Sequence, residues 1–122
     1  ANIATNKSFI AADRKRAFDT VLKSALIDNS ENANDILVTI KEAKIKEFEP
    51  FFEVLNADTT YDEKKYNISK KYYEQDIDTC ALFLNSAPSH QPSQVALLNI
   101  MSTPEIQLSP KTLTLINQQP KS

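Results

Sequence analysis

Apolar residues recur along this chain at intervals of three and four, and three long segments carry the repeat. From Ser8 to Asp28 the residues Ile10, Ala11, Ala17, Phe18, Val21, Leu22 and Ala25 form one broad stripe, with Arg16, Asp19 and Lys23 opposite. That is the pattern of an amphipathic helix, and it predicts one over residues 8–28. A second helix is predicted over 31–55, with Ser30 as N-cap and Glu31 and Asp35 near the positive end of its dipole. Its main stripe is Ala33, Ile36, Leu37, Ile40, Phe48, Phe51, Val54 and Leu55. Val38, Ile45 and Phe52 form another stripe about 120° away. Pro50 has no amide to donate, so a kink or a restart of the helix is expected near it, with the apolar phase continuing across.

Thr60-Tyr61-Asp62-Glu63 has the form of a capping box and opens a third predicted helix over 61–84. On that helix Tyr66, Tyr73, Ile77, Cys80 and Leu84 share one arc. Tyr61, Ile68, Tyr72 and Phe83, with Lys65 among them, share a second arc about 120° away. After Asn85 the pattern changes, because five of the six prolines follow. "SAPSHQPSQ" reads as a connector, with Pro92 in the first turn of a short helix over 92–101. The remainder, 102–122, reads as a proline-punctuated tail. Thr103-Pro104-Glu105 and Ser109-Pro110-Lys111 suit single helical turns, while the alternation in "TLTLIN" also suits extended backbone.

Composition narrows the fold. The chain has 122 residues and no glycine, and glycine is the usual residue of tight hairpins and left-handed turns. Asparagine is the next most tolerant residue at the left-handed position after a helix, and Asn29, Asn56 and Asn85 close the three periodic segments. The expected fold is therefore all-α: one domain over 1–122, an irregular bundle of four to five helices with a Pro-rich C-terminal segment. Its length is sufficient for a core without metal or disulfide support.

Net charge is -2 and the isoelectric point about 5.4, which does not favour nucleic acid or an anionic membrane as partner. No apolar run approaches the roughly 18 residues of a membrane span. The chain is expected to be soluble, and its opening at Ala1 without methionine is compatible with an exported mature protein or an excised domain. The compartment stays open on sequence alone. Asn6-Lys7-Ser8 and Asn67-Ile68-Ser69 match the glycosylation acceptor pattern, which is frequent by chance in a chain of this composition.

Catalytic groups are scarce. With one histidine and one cysteine no zinc cluster of such ligands is available, and no metal or cofactor is expected. Lack of glycine removes phosphate-binding loops, dinucleotide fingerprints and nucleophile elbows. Cys80 and His90 are ten apart, but Cys80 falls in the apolar arc of the third helix and reads as a buried hydrophobe. Arg14 and Glu47 intrude on apolar stripes; each is expected to extend its head to water, with pairing across a helix interface as the alternative.

These features point to a non-enzymatic protein that binds another protein, as an adaptor, inhibitor or assembly subunit, including an exported inhibitor or immunity-type protein. Tyr61, Lys65, Ile68 and Tyr72 are the candidate contact residues, an amphipathic strip of a type enriched at interfaces. Self-association into a homo-oligomer is also left open by the sequence. Two other classes are carried as alternatives. One is a single-stranded nucleic-acid binder using Lys64, Lys65, Lys70 and Lys71 among the tyrosines, which the acidic balance disfavours. The other is a small apolar-ligand carrier around Phe48, Phe51 and Phe52, a cluster that ordinarily forms core.

Overall fold

The computed structural model of the protein describes residues 11–118. Among these the chain is all-α, with seven α-helices, one 3-10 turn and no strand. It divides after Asn56 into two compact units.

The first unit contains α1 (Ala11–Leu26), α2 (Glu31–Glu42), the 3-10 turn Lys46–Phe48 and α3 (Glu49–Asn56). Of the predicted stripe of the first helix, α1 buries Phe18, Leu22 and Ala25, joined by Leu26, while Ala17 and Val21 are half-buried and Ala11 is exposed; Ser8 and Ile10 lie outside the described residues. Asn29 takes the expected left-handed conformation (φ 56°). Ser30 then caps α2, its hydroxyl accepting from the Ala33 amide at 3.2 Å, which turns α2 back to pack on α1. Phe18 is the centre of an aromatic cluster. It stacks on Phe48 at 4.2 Å between centroids and meets Phe51 and Phe52 edge-on at 4.9 and 5.9 Å.

The predicted helix 31–55 is not continuous. α2 ends at Glu42, and Lys44 adopts φ 53°, a left-handed conformation that breaks the hydrogen-bond ladder. At Pro50 the helix restarts rather than kinks: the proline stands in the first turn of α3, where its missing amide has no acceptor to lose. The break undoes the stripe expected from Val38, Ile45 and Phe52, because a spacing of seven aligns residues only along an unbroken helix. Val38 is exposed, whereas Ile45 and Phe52 are half-buried.

The second unit contains α4 (Tyr61–Tyr72), α5 (Ile77–Asn85), α6 (Gln91–Ser102) and α7 (Pro110–Gln118). Thr60 caps α4 as expected, accepting from the Glu63 amide at 3.1 Å. The predicted helix 61–84 is likewise two helices. α4 stops at Tyr72, and Asp76 caps a new start by accepting from the Thr79 amide and hydroxyl at 3.3 and 2.8 Å. α5 is the central element, packed against α4, α6 and α7. It buries Thr79, Cys80, Ala81, Phe83, Leu84 and Asn85, and Phe83 stacks on the buried Tyr73 ring at 5.5 Å. Of the three asparagines expected to turn left-handed, only Asn29 does so; Asn56 and Asn85 are the last residues of α3 and α5.

Beyond α6 the tail is more ordered than its prolines suggest. Pro104 lies in a turn closed by the Ile106 amide on the Thr103 carbonyl at 3.1 Å. Ser109 then caps a full helix, accepting from the Thr112 amide at 3.2 Å, so "TLTLIN" is helical rather than extended. The Ser109 amide donates to Asp78 at 2.8 Å, and Thr112 and Ile116 are buried, which seats α7 on α5. The C-terminal segment thus covers the 77–85 part of the predicted third helix.

Candidate protein-binding surface

The four residues predicted as a contact strip do not share one exposed face. Ile68 is fully buried and Lys65 is 5% exposed. The Lys65 ammonium donates to the carbonyl of Ser86, the residue that caps α5, and lies 3.4 Å from Asp62 and 4.7 Å from the centroid of the Tyr61 ring. Carbonyls at a helix C-terminus lack intrahelical donors and carry partial negative charge, so a cation is a natural cap there. Lys65 therefore holds α4 to the end of α5. Tyr72 is half-buried, with the Lys71 ammonium 5.6 Å from its ring. Only Tyr61, 44% exposed, presents a large ring surface to solvent.

Asp62 extends the same network. It accepts from the Ser89 hydroxyl at 2.5 Å and the Ser89 amide at 3.1 Å, tying the first turn of α4 to the connector between α5 and α6. Burial pushes its carboxyl up, but the two Ser89 hydrogen bonds and the Lys65 charge outweigh this and hold it below the usual carboxylate range.

The other large apolar side chains that unit two leaves exposed lie elsewhere. On α6, Leu98 is 65% exposed, Val95 52% and Met101 43%, while Ser93 and Leu97 face inward. Spaced by three, Val95, Leu98 and Met101 form one slanting stripe along the helix. Leu113 and Leu115 on α7 are also exposed. From Thr79 to Pro104 the sequence contains no Asp, Glu, Lys or Arg, so α6 has none of the charged residues that normally cover a solvent face. This run is the sequence signal for the surface, and periodicity alone misses it: "VALLNIM" is apolar nearly all round and shows no preferred side.

Beside the stripe, between α4 and α6, is an open groove of about 510 Å³. Its apolar lining is Tyr66, Pro92, Val95 and Ala96; Gln91 and Asn99 add amides and Lys70 an ammonium. The Tyr66 ring rests on His90 at 4.9 Å, and His90 Nδ1 is 2.8 Å from the buried Ser93 hydroxyl. Val95 belongs to both groove and stripe, so the two form one surface.

Arg14 and Glu47 do pair, Nε to Oε1 at 2.8 Å, at a cleft of about 680 Å³ that Ala43–Lys46 complete. Cys80 is buried, and burial pushes its thiol up, although the neighbouring Ser69 hydroxyl and Lys70 charge act the other way. Among the described residues no group of three His, Cys, Asp or Glu side chains is placed to hold a metal ion, and no helix is long and apolar enough to cross a membrane. Comparisons with protein-family models, curated proteins and solved structures find no match to this chain.

Proposed function

We propose that this protein acts without catalysis, by binding another protein through the α6 surface of its second unit. The observation that carries this reading is the stripe Val95, Leu98 and Met101, three large apolar side chains exposed on a helix that has no charged residue. Isolated exposed apolar residues are ordinary, but a contiguous set on an uncharged helix is typical of surfaces that become buried on association. The reading also agrees with the state of the reactive groups: Cys80 is enclosed, and His90 is engaged by Ser93 and Tyr66. A nucleic-acid surface is less well supported, because Lys64 donates to the Ala57 carbonyl and Lys65 to that of Ser86. Those ammonium groups are directed at the protein's own backbone.

Leu98→Asp is the direct test. An exposed substitution changes stability by about 0.5 kcal/mol or less, so the melting temperature should move by roughly 2–3 °C at most. Quantitative affinity capture from source cells should meanwhile lose the partner recovered by the wild-type chain. Equal recovery by the two proteins would refute the reading, and a collapse in melting temperature would assign Leu98 to the core.

A further inference from the structure

The groove between α4 and α6 has a chemistry more specific than "apolar". Its one charged lining residue is Lys70, which is exposed and makes no ion pair among the described residues. The uncharged run Thr79–Pro104 means that neither α6 nor the connector before it brings an acid to that ammonium; Glu74 and Asp76, in the turn between α4 and α5, are the neighbouring acids and are not part of the lining. Gln91 and Asn99 stand on the same rim, and their side-chain amides make no hydrogen bond among the described residues. The lining therefore offers a positive charge, two amides that both donate and accept, and an apolar wall of Tyr66, Pro92, Val95 and Ala96.

We infer that this groove receives an acidic, apolar-anchored polypeptide segment of the partner, with a carboxylate on Lys70 and an apolar side chain against Tyr66 and Val95. The inference rests on the protein-binding reading above and narrows it to a class of partner. Dimensions support a segment. The groove volume suits a few side chains, and it opens through Val95 onto a stripe that extends about 9 Å along α6 to Met101, at 1.5 Å per residue.

Charge also selects against a second copy of this chain. A two-fold contact presents the same patch to itself. Lys70 would then face an uncharged helix or the other Lys70, with no acid on either lining to receive it. A partner carrying Asp or Glu beside its apolar anchor supplies the missing group, and steers approach as well.

The test is selection of a displayed random 16-residue peptide library on the full chain, with counter-screens on Lys70→Glu and Val95→Asp. Both positions are exposed, and the amide NMR spectrum of each variant checks its fold. We expect enriched peptides that combine Asp or Glu with Leu, Phe or Trp. Their binding should fall at least about tenfold on Lys70→Glu, be lost on Val95→Asp, and perturb the amides of Lys70, Val95, Ala96 and Asn99 in the wild-type chain. Peptides that need Val95 but show no acidic excess, or ignore Lys70→Glu, would overturn the acidic class and leave the protein-binding reading standing. Sedimentation showing a dimer that Leu98→Asp dissociates would replace the partner with a second copy. No enrichment over Val95→Asp would overturn the groove, and joined to unchanged capture by Leu98→Asp it would end both proposals.

Discussion

Lys44 is the residue where local conformation and side chain conflict most. In the left-handed region its Cβ crowds the following carbonyl, at a cost of roughly 1–2 kcal/mol that glycine does not incur. A chain without glycine must place some other residue wherever a helix ends this way. Asn29 meets that need with a residue type that tolerates it, but lysine has no such advantage. Lys44→Gly should therefore stabilise the protein by about 0.5–1 kcal/mol, the gain being reduced by the greater freedom of glycine in the unfolded chain. Thermal unfolding should shift upward by roughly 2–5 °C. Lys44→Ala should give no such gain, since alanine keeps the Cβ. Nothing in the sequence marked this position: a lysine within "KEAKIKEFE" reads as helix surface, and only the structure shows that the backbone turns there.

At the scale of elements, the segments with strong one-sided stripes were legible. Ser8–Asp28 contains α1, and its predicted stripe includes three of the four residues that α1 buries; the caps at Ser30 and Thr60 and the proline start of α6 were readable from residue type. What periodicity did not reveal was interruption. Both long predicted helices, 31–55 and 61–84, are broken by short non-helical stretches that leave the apolar phase nearly continuous, so the stripe count stays high across the gap. Asp76 shows why: as a helical residue it is ordinary surface, yet as an N-cap it starts α5. The contact strip predicted on Tyr61, Lys65, Ile68 and Tyr72 was lost for a related reason. Helical angle assigns residues to a side of the helix but does not say which side the neighbours cover, and α5 with its connector covers Lys65.

The Asp62–Ser89 link joins α4 to the connector between α5 and α6 and has a definite pH signature. Asp62 is held below the ordinary value near 3.8, so its contribution to stability is complete above that value and disappears as pH falls through the lower folded pKa. Asp62→Asn keeps an acceptor but loses the charge facing Ser89 and Lys65. It should cost about 1 kcal/mol at pH 7, the difference between a charged and a neutral hydrogen-bond acceptor. In urea that is a midpoint lower by roughly 0.5 M, and the gap to the wild type should narrow by pH 3. A gap independent of pH would mean that the loss comes from packing and not from the carboxylate.

For the whole molecule, composition and period indicated the all-α class, while the expected four to five helices fall short of the seven described. The division after Asn56 leaves the second unit with a core of its own, formed by Ile68, Tyr73, Cys80, Phe83, Leu84, Leu97 and Ile116 around α5. Each of its helices is fixed to α5 or the turns beside it: α4 by Lys65 on Ser86, α6 by the Gln94 amide on the Ala87 carbonyl at 3.1 Å, and α7 by Ser109 on Asp78. Domains of about 60 residues bury only some 60% of their unfolded surface and are marginal, so such internal ties decide whether the unit is self-sufficient. We expect a fragment of residues 57–122 to give a helical circular dichroism spectrum and a single cooperative urea transition. Because Tyr66, Lys70 and the α6 stripe all belong to that fragment, it should also bind the peptides selected on the whole protein. A fragment that is helical but melts without cooperativity would show that residues 1–56 are needed to complete its core, and the chain would then behave as one folding unit despite its two clusters of contacts.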